Sequence, residues 1–303
     1  MTFNLKILGS ASALPTKNRF TTAQVLNVHE RFFLIDCGEG TQIQLRKASV
    51  KFLKINHIFI SHMHGDHMFG LPGVISTFSL LGRKSPLHIY ANKDLKTVLG
   101  NFLGYFEKNI NYDIVYHSLD NEKPEKIFED DKVEVISFPL KHRVPCCGFL
   151  FKEKEIQPQL NMKAVETFDI PVNYRRLIKA GKDFTTPDGE IVPNSKLVIP
   201  ARTAKKYAFL SDTAYSEKYI DLVKEADLIY HEATFLEEDR KMAKATGHST
   251  AKEAGLFARK CKAKKLIIGH YSTRYKKFSC LLDEAKTEFV NTDEARDLSS
   301  FDI

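Results

Sequence analysis

With 303 residues, 43% of them hydrophobic and 27% charged, the chain is able to bury a sizeable core, which excludes a disordered chain and leaves one large or two ordinary domains. Lysine and arginine number 45 against 38 acids, a formal charge of +7, which permits an anionic partner such as nucleic acid without demanding one. Five cysteines, odd in number and without CxxC spacing, argue against a disulfide framework and for a reducing compartment. The opening Met-Thr-Phe-Asn-Leu-Lys lacks a basic stretch leading into an apolar one, and no run of 18 apolar residues occurs. The expectation is a soluble, cytoplasmic protein with no secretion signal and no membrane partner.

In chain order, residues 3–8 alternate apolar and polar, as a half-buried strand does, and stop at Gly9-Ser10. Residues 25–28 and 31–35 predict a hairpin about His29-Glu30. Its second strand ends in the turn Asp36-Cys37-Gly38-Glu39-Gly40-Thr41, followed by a helical stretch over 42–48. A strand over 55–61 leads to a helix-like segment over 69–81, a strand over 87–91, a helix over 95–106 and strands over 114–118 and 133–139. In the second half, a short strand over 208–210 ends in Ser211-Asp212-Thr213. A helix over 217–224, a strand over 228–231, a helix over 250–261 and a strand over 266–269 ending in His270 follow. Strands in both halves with helices between them predict two sheets packed face to face and covered by helices outside.

Between the halves, residues 152–200 are polar and contain Pro158, Pro171, Pro187, Pro193 and Pro200. A stretch this long, with little structure of its own, reads as a functional segment or a solvated linker. Within it, Tyr174-Arg175-Arg176-Leu177-Ile178-Lys179-Ala180-Gly181-Lys182 holds four cations, one aromatic and no acid. The functional reading is a mobile basic arm for a phosphate backbone.

The stretch that carries chemistry is Ser61-His62-Met63-His64-Gly65-Asp66-His67, with three imidazoles and a carboxylate within six positions directly after Ile58-Phe59-Ile60. Packing does not call for such a cluster, because His and Asp are costly to bury without a partner that uses them. A borderline-soft divalent ion such as zinc takes these donors, and manganese or another divalent ion fits the same nitrogen and oxygen set. His142, Asp212 and His270 each follow a predicted strand end, where rigid elements gather ligands at one edge. His62, His64, His142 and Asp212 would serve one ion, and Asp66, His67, Asp212 and His270 a second, with Asp212 bridging. Two ions about 3.5–4 Å apart form a clamp for in-line displacement at phosphorus. His29, His57, His88 and His117 read as ordinary core or surface histidines.

His62-Met63-His64-Gly65-Asp66-His67 resembles the signature of the metallo-β-lactamase superfamily. That resemblance implies an α/β fold, the four-layer αββα sandwich with a two-metal site. It is expected as a single domain over 1–303 with a protruding, flexible arm inserted at 152–200. More narrowly, Leu8-Gly9-Ser10 with Ala13-Leu14-Pro15-Thr16, Asp36-Cys37-Gly38-Glu39-Gly40-Thr41-Gln42 and Pro139-Leu140-Lys141-His142 resemble the short form of the ribonuclease Z family. Ser211-Asp212-Thr213, His231-Glu232-Ala233-Thr234, Gly247-His248-Ser249-Thr250 and Gly269-His270-Tyr271-Ser272-Thr273-Arg274-Tyr275 extend the match, and Asn291-Thr292 with Ala295 and Asp297 fits the family's end. Family arms often carry a Pro/Gly-rich tip; here Ile170-Pro171-Val172-Asn173-Tyr174-Arg175 stands in its place and Gly181 comes later.

The resemblance implies a zinc-dependent endoribonuclease, homodimeric and with two zinc ions per subunit. It would remove 3′ trailers from precursor tRNA by metal-hydroxide attack on a phosphodiester, leaving a 3′-hydroxyl on the tRNA and a 5′-phosphate on the trailer. Asp66 would both ligate and orient the hydroxide; its plainer role is ligation alone. His248 is the candidate general acid, with Glu232 holding its other ring nitrogen. The plainer reading makes His248 a neighbour of a helix cap at Ser249-Thr250. Asp36 would orient a ligating histidine, and His231 would pack the turn before Glu232. Candidate substrate contacts are Tyr174, Arg175, Arg176, Lys179 and Lys182 on the arm, and Arg274 after the last ligand. The cations from 259 to 265, with Lys276 and Lys277, read more readily as a solvated face. Two other classes share the site: a general phosphodiesterase, lactonase or sulfatase, and a non-catalytic, metal-stabilised RNA-binding protein.

Overall fold

Along strand Phe3–Gly9 the side chains of Phe3, Leu5 and Ile7 are buried while Asn4 and Lys6 are half-buried, the period-2 pattern that commits one face of a strand to a core. In this computed structural model, which describes residues 2–106 and 110–303, that strand belongs to a seven-stranded sheet. The order is Ser300–Asp302, Phe3–Gly9, Ala23–Val28, Arg31–Cys37, Ile55–Phe59, Leu87–Ala91 and Ile114–Ser118. Pairing is antiparallel up to Arg31–Cys37 and parallel from there on. A second seven-stranded sheet runs Thr292–Glu294, Leu266–Gly269, Leu228–Glu232, Lys206–Leu210, Cys147–Glu153, Val133–Pro139 and Glu125–Glu129, with its parallel strands at the other end of the order.

The two sheets face each other across one core, in which Phe33, Ile35 and Phe59 of the first meet Phe149, Phe151, Tyr207, Phe209 and Tyr230 of the second. Two further cores lie on the outer faces. Helices Leu71–Leu80 and Leu95–Phe106 cover the first sheet with Val74, Ile75, Phe78, Leu95 and Leu99. Helices Ala251–Lys260 and Ser279–Glu288 cover the second with Ala254, Phe257, Ala258, Leu281 and Ala285. The result is helix, sheet, sheet, helix: the four-layer αββα sandwich expected.

Where the elements differ from expectation, burial explains it. Cys147–Glu153 is buried on both faces and does not alternate, so it gives no period-2 signal. Glu125–Glu129 is a half-exposed edge strand. The helix expected over 217–224 contracts to Ile220–Val223, and the Glu217 side chain ahead of it accepts from Tyr215 and Lys260. Residues 153–204 form a compact unit of their own, apart from the unit made by residues up to 152 and from 205 onward. The segment expected to carry little structure holds helices Met162–Thr167, Val172–Lys179 and Asn194–Leu197 and two short strand pairs. These close over a small core of Val165, Ile170, Ile178, Phe184, Val192 and Leu197.

Arg83 is 1% exposed beneath the first sheet. Its guanidinium donates to Ile55 O at 2.9 Å, Asn56 Oδ1 at 2.8 Å and Pro86 O at 2.6 Å, and lies over the Phe78 and Tyr112 rings. A hydrocarbon of similar length would leave three acceptors without donors. Arg83→Met is therefore expected to lower stability by about 2–4 kcal/mol. Urea unfolding checks this: the midpoint falls at unchanged slope, and a wild-type midpoint would contradict it.

Candidate metal centre

The parallel strands of both sheets end at one edge. In the second sheet, Leu210 pairs with His231 and Glu232 with Gly269. Glu232, the last paired residue of its strand, therefore stands beside Asp212 and His270, which lie two residues and one residue past the last paired positions of theirs. In the first sheet, Ile35 pairs with Phe59, which sets Asp36 beside the segment that leads into His62 and His64. Asp66 and His67 follow on the one-turn helix Gly65–Met68. Asp36, Asp212 and His270 all adopt left-handed backbone conformations, with φ of 55°, 57° and 58°. For residues with a Cβ this conformation is strained, and it recurs where a strand end must turn a side chain back into a site. Gly38 lets the metal loop approach, since a Cβ there would sit 2.4 Å from Asp66 O.

The seven expected donors fall into two groups. One ligand atom from each of His62, His64, His142 and Asp212 lies within 4.8 Å of the others, as do those of Asp66, His67 and His270. Asp212 divides its oxygens between them. Oδ2 faces His62 Nε2 at 3.5 Å and His142 Nε2 at 3.7 Å, while Oδ1 lies 3.1 Å from both His67 Nε2 and His270 Nε2. Asp66 Oδ2 lies 3.4 Å from His67 Nε2 and His270 Nε2, and accepts a hydrogen bond from Ala13 N at 2.8 Å.

The far ring nitrogens are tied down. His62 Nδ1 meets Ser61 Oγ at 3.0 Å, His67 Nδ1 meets Asp36 Oδ2 at 2.7 Å, His142 Nδ1 donates to Gly247 O at 2.8 Å, and His270 Nδ1 meets Thr234 Oγ1 at 3.0 Å. Those bonds fix rings and tautomers with Nε2 turned inward, the arrangement found around metal-ligating histidines. His64 instead presents Nδ1, 2.9 Å from His62 Nε2. Asp36 is itself held by Ser61, whose backbone N donates at 2.7 Å and whose Oγ donates at 2.9 Å.

The electrostatics suit divalent cations. Burial pulls His62, His64 and His142 below the ordinary imidazole value, leaving neutral rings with a free lone pair. Burial works against the charge of Asp66 and Asp212 but is outweighed by the imidazoles around them, so both are held well below the usual carboxylate range. Burial would also lower His67, yet Asp212, Asp66 and Asp36 hold it well above its ordinary value. Three buried carboxylates thus call for positive charge, which a divalent ion can supply in place of the His67 proton. The donor set, its tautomers and its charge fit two divalent ions.

Glu232 and His248 stand beside this cluster. His248 Nδ1 lies 2.9 Å from Glu232 Oε1, which also accepts from Thr213 N at 2.6 Å. Oε2 accepts from Thr234 Oγ1 at 2.5 Å and Ser249 N at 3.2 Å. Burial works against an imidazolium at His248, but the Glu232 carboxylate overrides it and pushes His248 up to about 9. The helix cap belongs to Thr250, which forms a capping box with Glu253, so His248 is not needed there. His248, His64, Asp66, Asp212 and His270 line one cavity of about 430 Å³. His231 is buried against Phe257, and His57, His88 and His117 pack with one another and with Tyr90 away from the cluster.

The candidate substrate contacts belong to other segments of the chain. Arg274 reaches Asp239 at 3.7 Å and Met242 Sδ at 3.0 Å. Tyr174, Arg175, Arg176 and Lys179 lie on helix Val172–Lys179 of the 153–204 unit, where Tyr174 meets the edge of Phe184 and Arg176, Lys179 and Lys182 are exposed. Two residues of the site have no role assigned by the sequence: Thr234, which belongs to the His231–Thr234 motif and links His270 to Glu232, and Arg143, which lines the cavity.

A family model described as "Anti-Pycsar protein Apyc1" matches residues 3–295. Ribonuclease Z of Phocaeicola vulgatus is 47% identical over 301 residues, covering 99% of this chain and 97% of its own. Among solved structures, human tRNase Z, short form, matches with a TM-score of 0.71 at 27% identity over 98% of each chain. The metallo-β-lactamase fold protein YhfI of Bacillus subtilis matches with a TM-score of 0.70 over 100% of each chain, at 17% identity, a likeness of fold alone.

Asp36 touches the cluster only through His67 Nδ1 and Ser61, so its amide tests how far that support matters. Asp36→Asn is expected to weaken divalent-ion binding about 10- to 100-fold, read by titration of the metal-free protein with zinc. Wild-type affinity in the variant would contradict the assigned support.

Proposed function

The chain belongs to the ribonuclease Z family of endoribonucleases and to the family described as Anti-Pycsar protein Apyc1, and on that premise we propose that it removes 3′ trailers from precursor tRNA. The products are a 3′-hydroxyl on the tRNA and a 5′-phosphate on the trailer. The observation that carries this reading is the meeting, in one cavity, of a two-ion donor set with the Glu232–His248 pair. Zinc is the ion proposed, two per subunit, because five imidazoles and two carboxylates suit it.

A bound pair of divalent ions supplies an acidified water at neutral pH and offsets the charge of the phosphate oxygens. The rest falls to the chain. Asp66, which the surrounding imidazoles keep anionic, faces the cavity and is suited to orient the attacking water and accept its proton. The leaving group is the 3′ oxygen of the last retained nucleotide, a strong base that leaves poorly without a proton. His248, held cationic by Glu232, is the donor. Its Nδ1 is bound to Glu232, so the proton comes from Nε2.

The 153–204 unit is proposed as the exosite for tRNA, supported by the exposed Arg176, Lys179 and Lys182 on and just after its basic helix. None of the seven donors lies in it. A homodimer and a cytoplasmic location belong to the same reading; the five cysteines, none in a disulfide, support a reducing compartment. No helix among the described residues is long and apolar enough to cross a membrane.

The direct test is incubation with a 3′-extended tRNA, mapping the cut and its end groups. Cleavage at the trailer junction with a 3′-hydroxyl on the tRNA is expected, and an intact precursor would overturn the reading. Deleting residues 163–188 is expected to abolish this processing while a small chromogenic phosphodiester is still hydrolysed; equal loss on both would remove the exosite role. His248→Ala is expected to lower kcat on the precursor by about 10²–10⁴. It should cost far less on a p-nitrophenyl ester, whose leaving group needs no proton, and an equal loss on both would contradict the general-acid role.

A further inference from the structure

Among its described lining residues, the cavity in front of the site carries a single Lys or Arg side chain, Arg143. The acidic walls are Glu39, Asp66 and Asp212, and Leu14 and Phe69 make the apolar rim. Arg143 follows His142 directly and is exposed. No hydrogen bond or ion pair among the described residues engages its guanidinium.

Its place is not that of a loosely solvated surface arginine. His142 Nδ1 donates to Gly247 O, and a Cβ on Gly247 would sit 3.0 Å from that same nitrogen and 3.4 Å from both Arg143 Cγ and Arg143 N. Gly247 also has a φ of +77°, which favours a residue without a Cβ. The chain at 142–143 is therefore packed directly against the chain at 247–248. Arg143 and His248 enter the cavity from adjoining backbone held in one register.

That neighbourhood gives Arg143 a direction. In an in-line displacement, the oxygen that receives the proton belongs to the retained nucleotide, so the wall around His248 faces the retained strand. We propose that Arg143 binds the phosphate on the 5′ side of the last retained nucleotide, one step from the scissile phosphate, and so sets the direction in which the RNA strand crosses the cavity. This rests on the reading of His248 as proton donor to the 3′ oxygen. A guanidinium suits the task because its fork matches two phosphate oxygens, and an unpaired one loses no existing partner on binding.

The test is a 3′-extended tRNA in which that one phosphate is replaced by an uncharged methylphosphonate, assayed with the wild-type enzyme and with Arg143→Ala. Each change alone is expected to raise KM about tenfold, with kcat within about threefold, and the two together no further than either. Arg143→Ala should also flatten the salt dependence of KM by about 0.7, one contact's share on a single strand. Arg143→Lys, which keeps the charge without the fork, should fall between. Losses that multiply in the combined case would overturn the inference, as would a fall in kcat at unchanged KM, which would put Arg143 on the scissile group instead. A precursor that the wild-type enzyme leaves intact would overturn the substrate reading and this inference with it, a result distinct from processing with multiplied losses.

Discussion

Asp212 is the residue on which the arrangement turns. Its carboxylate is almost wholly buried, and four imidazole nitrogens from three segments, the His62–His67 loop and the ends at His142 and His270, stand 3.1–3.7 Å from its two oxygens. A buried carboxylate with only neutral neighbours would cost several kcal/mol. With Asp66 and Asp36 close by, the cluster holds more negative charge than uncharged imidazoles can offset. Cations of high charge density would resolve the imbalance, and the two faces of Asp212 would let each of two ions take a share of one ligand. The left-handed backbone at Asp212 follows from the same demand: a chain leaving a parallel strand must reverse at once to aim its carboxylate back across the sheet edge.

Glu232 ties the metal side to the proton side. One of its oxygens takes the Thr213 amide, next to Asp212, and His248; the other takes the Thr234 hydroxyl and the Ser249 amide. Thr234, having given its proton to Glu232, accepts one from His270 Nδ1, so one carboxylate orients His270, through Thr234, and His248 together. A network with every lone pair occupied is rigid. Under the proposed mechanism that rigidity would hold His248 in reach of the leaving oxygen and His270 in its place as a ligand.

Much of this was legible along the chain. Elements with a clear period were read nearly to the residue: the hairpin at 25–35, the strand at 87–91 and the helix at 95–106 reappear as Ala23–Val28 with Arg31–Cys37, Leu87–Ala91 and Leu95–Phe106. Strands buried on both faces or lying at an edge, Cys147–Glu153 and Glu125–Glu129, escaped because neither environment produces alternation. The 153–204 unit departs from the expectation of a segment with little structure because two of its five prolines sit at helix starts, Pro171 before Val172 and Pro193 before Asn194, where they favour order.

By itself, the sequence determined the donor types and their spacing within the His62–His67 loop, since a loop of that length leaves the side chains no choice but to be neighbours. It also marked His142, Asp212 and His270 as residues following strands. Only the tertiary structure decided which donors lie close enough together to share an ion, that Asp212 divides its oxygens, and that Arg143 stands beside His248. Those relations depend on strand register in the second sheet and on a loop contact at Gly247. They join residues tens to hundreds of positions apart, where no local periodicity or propensity carries information about distance.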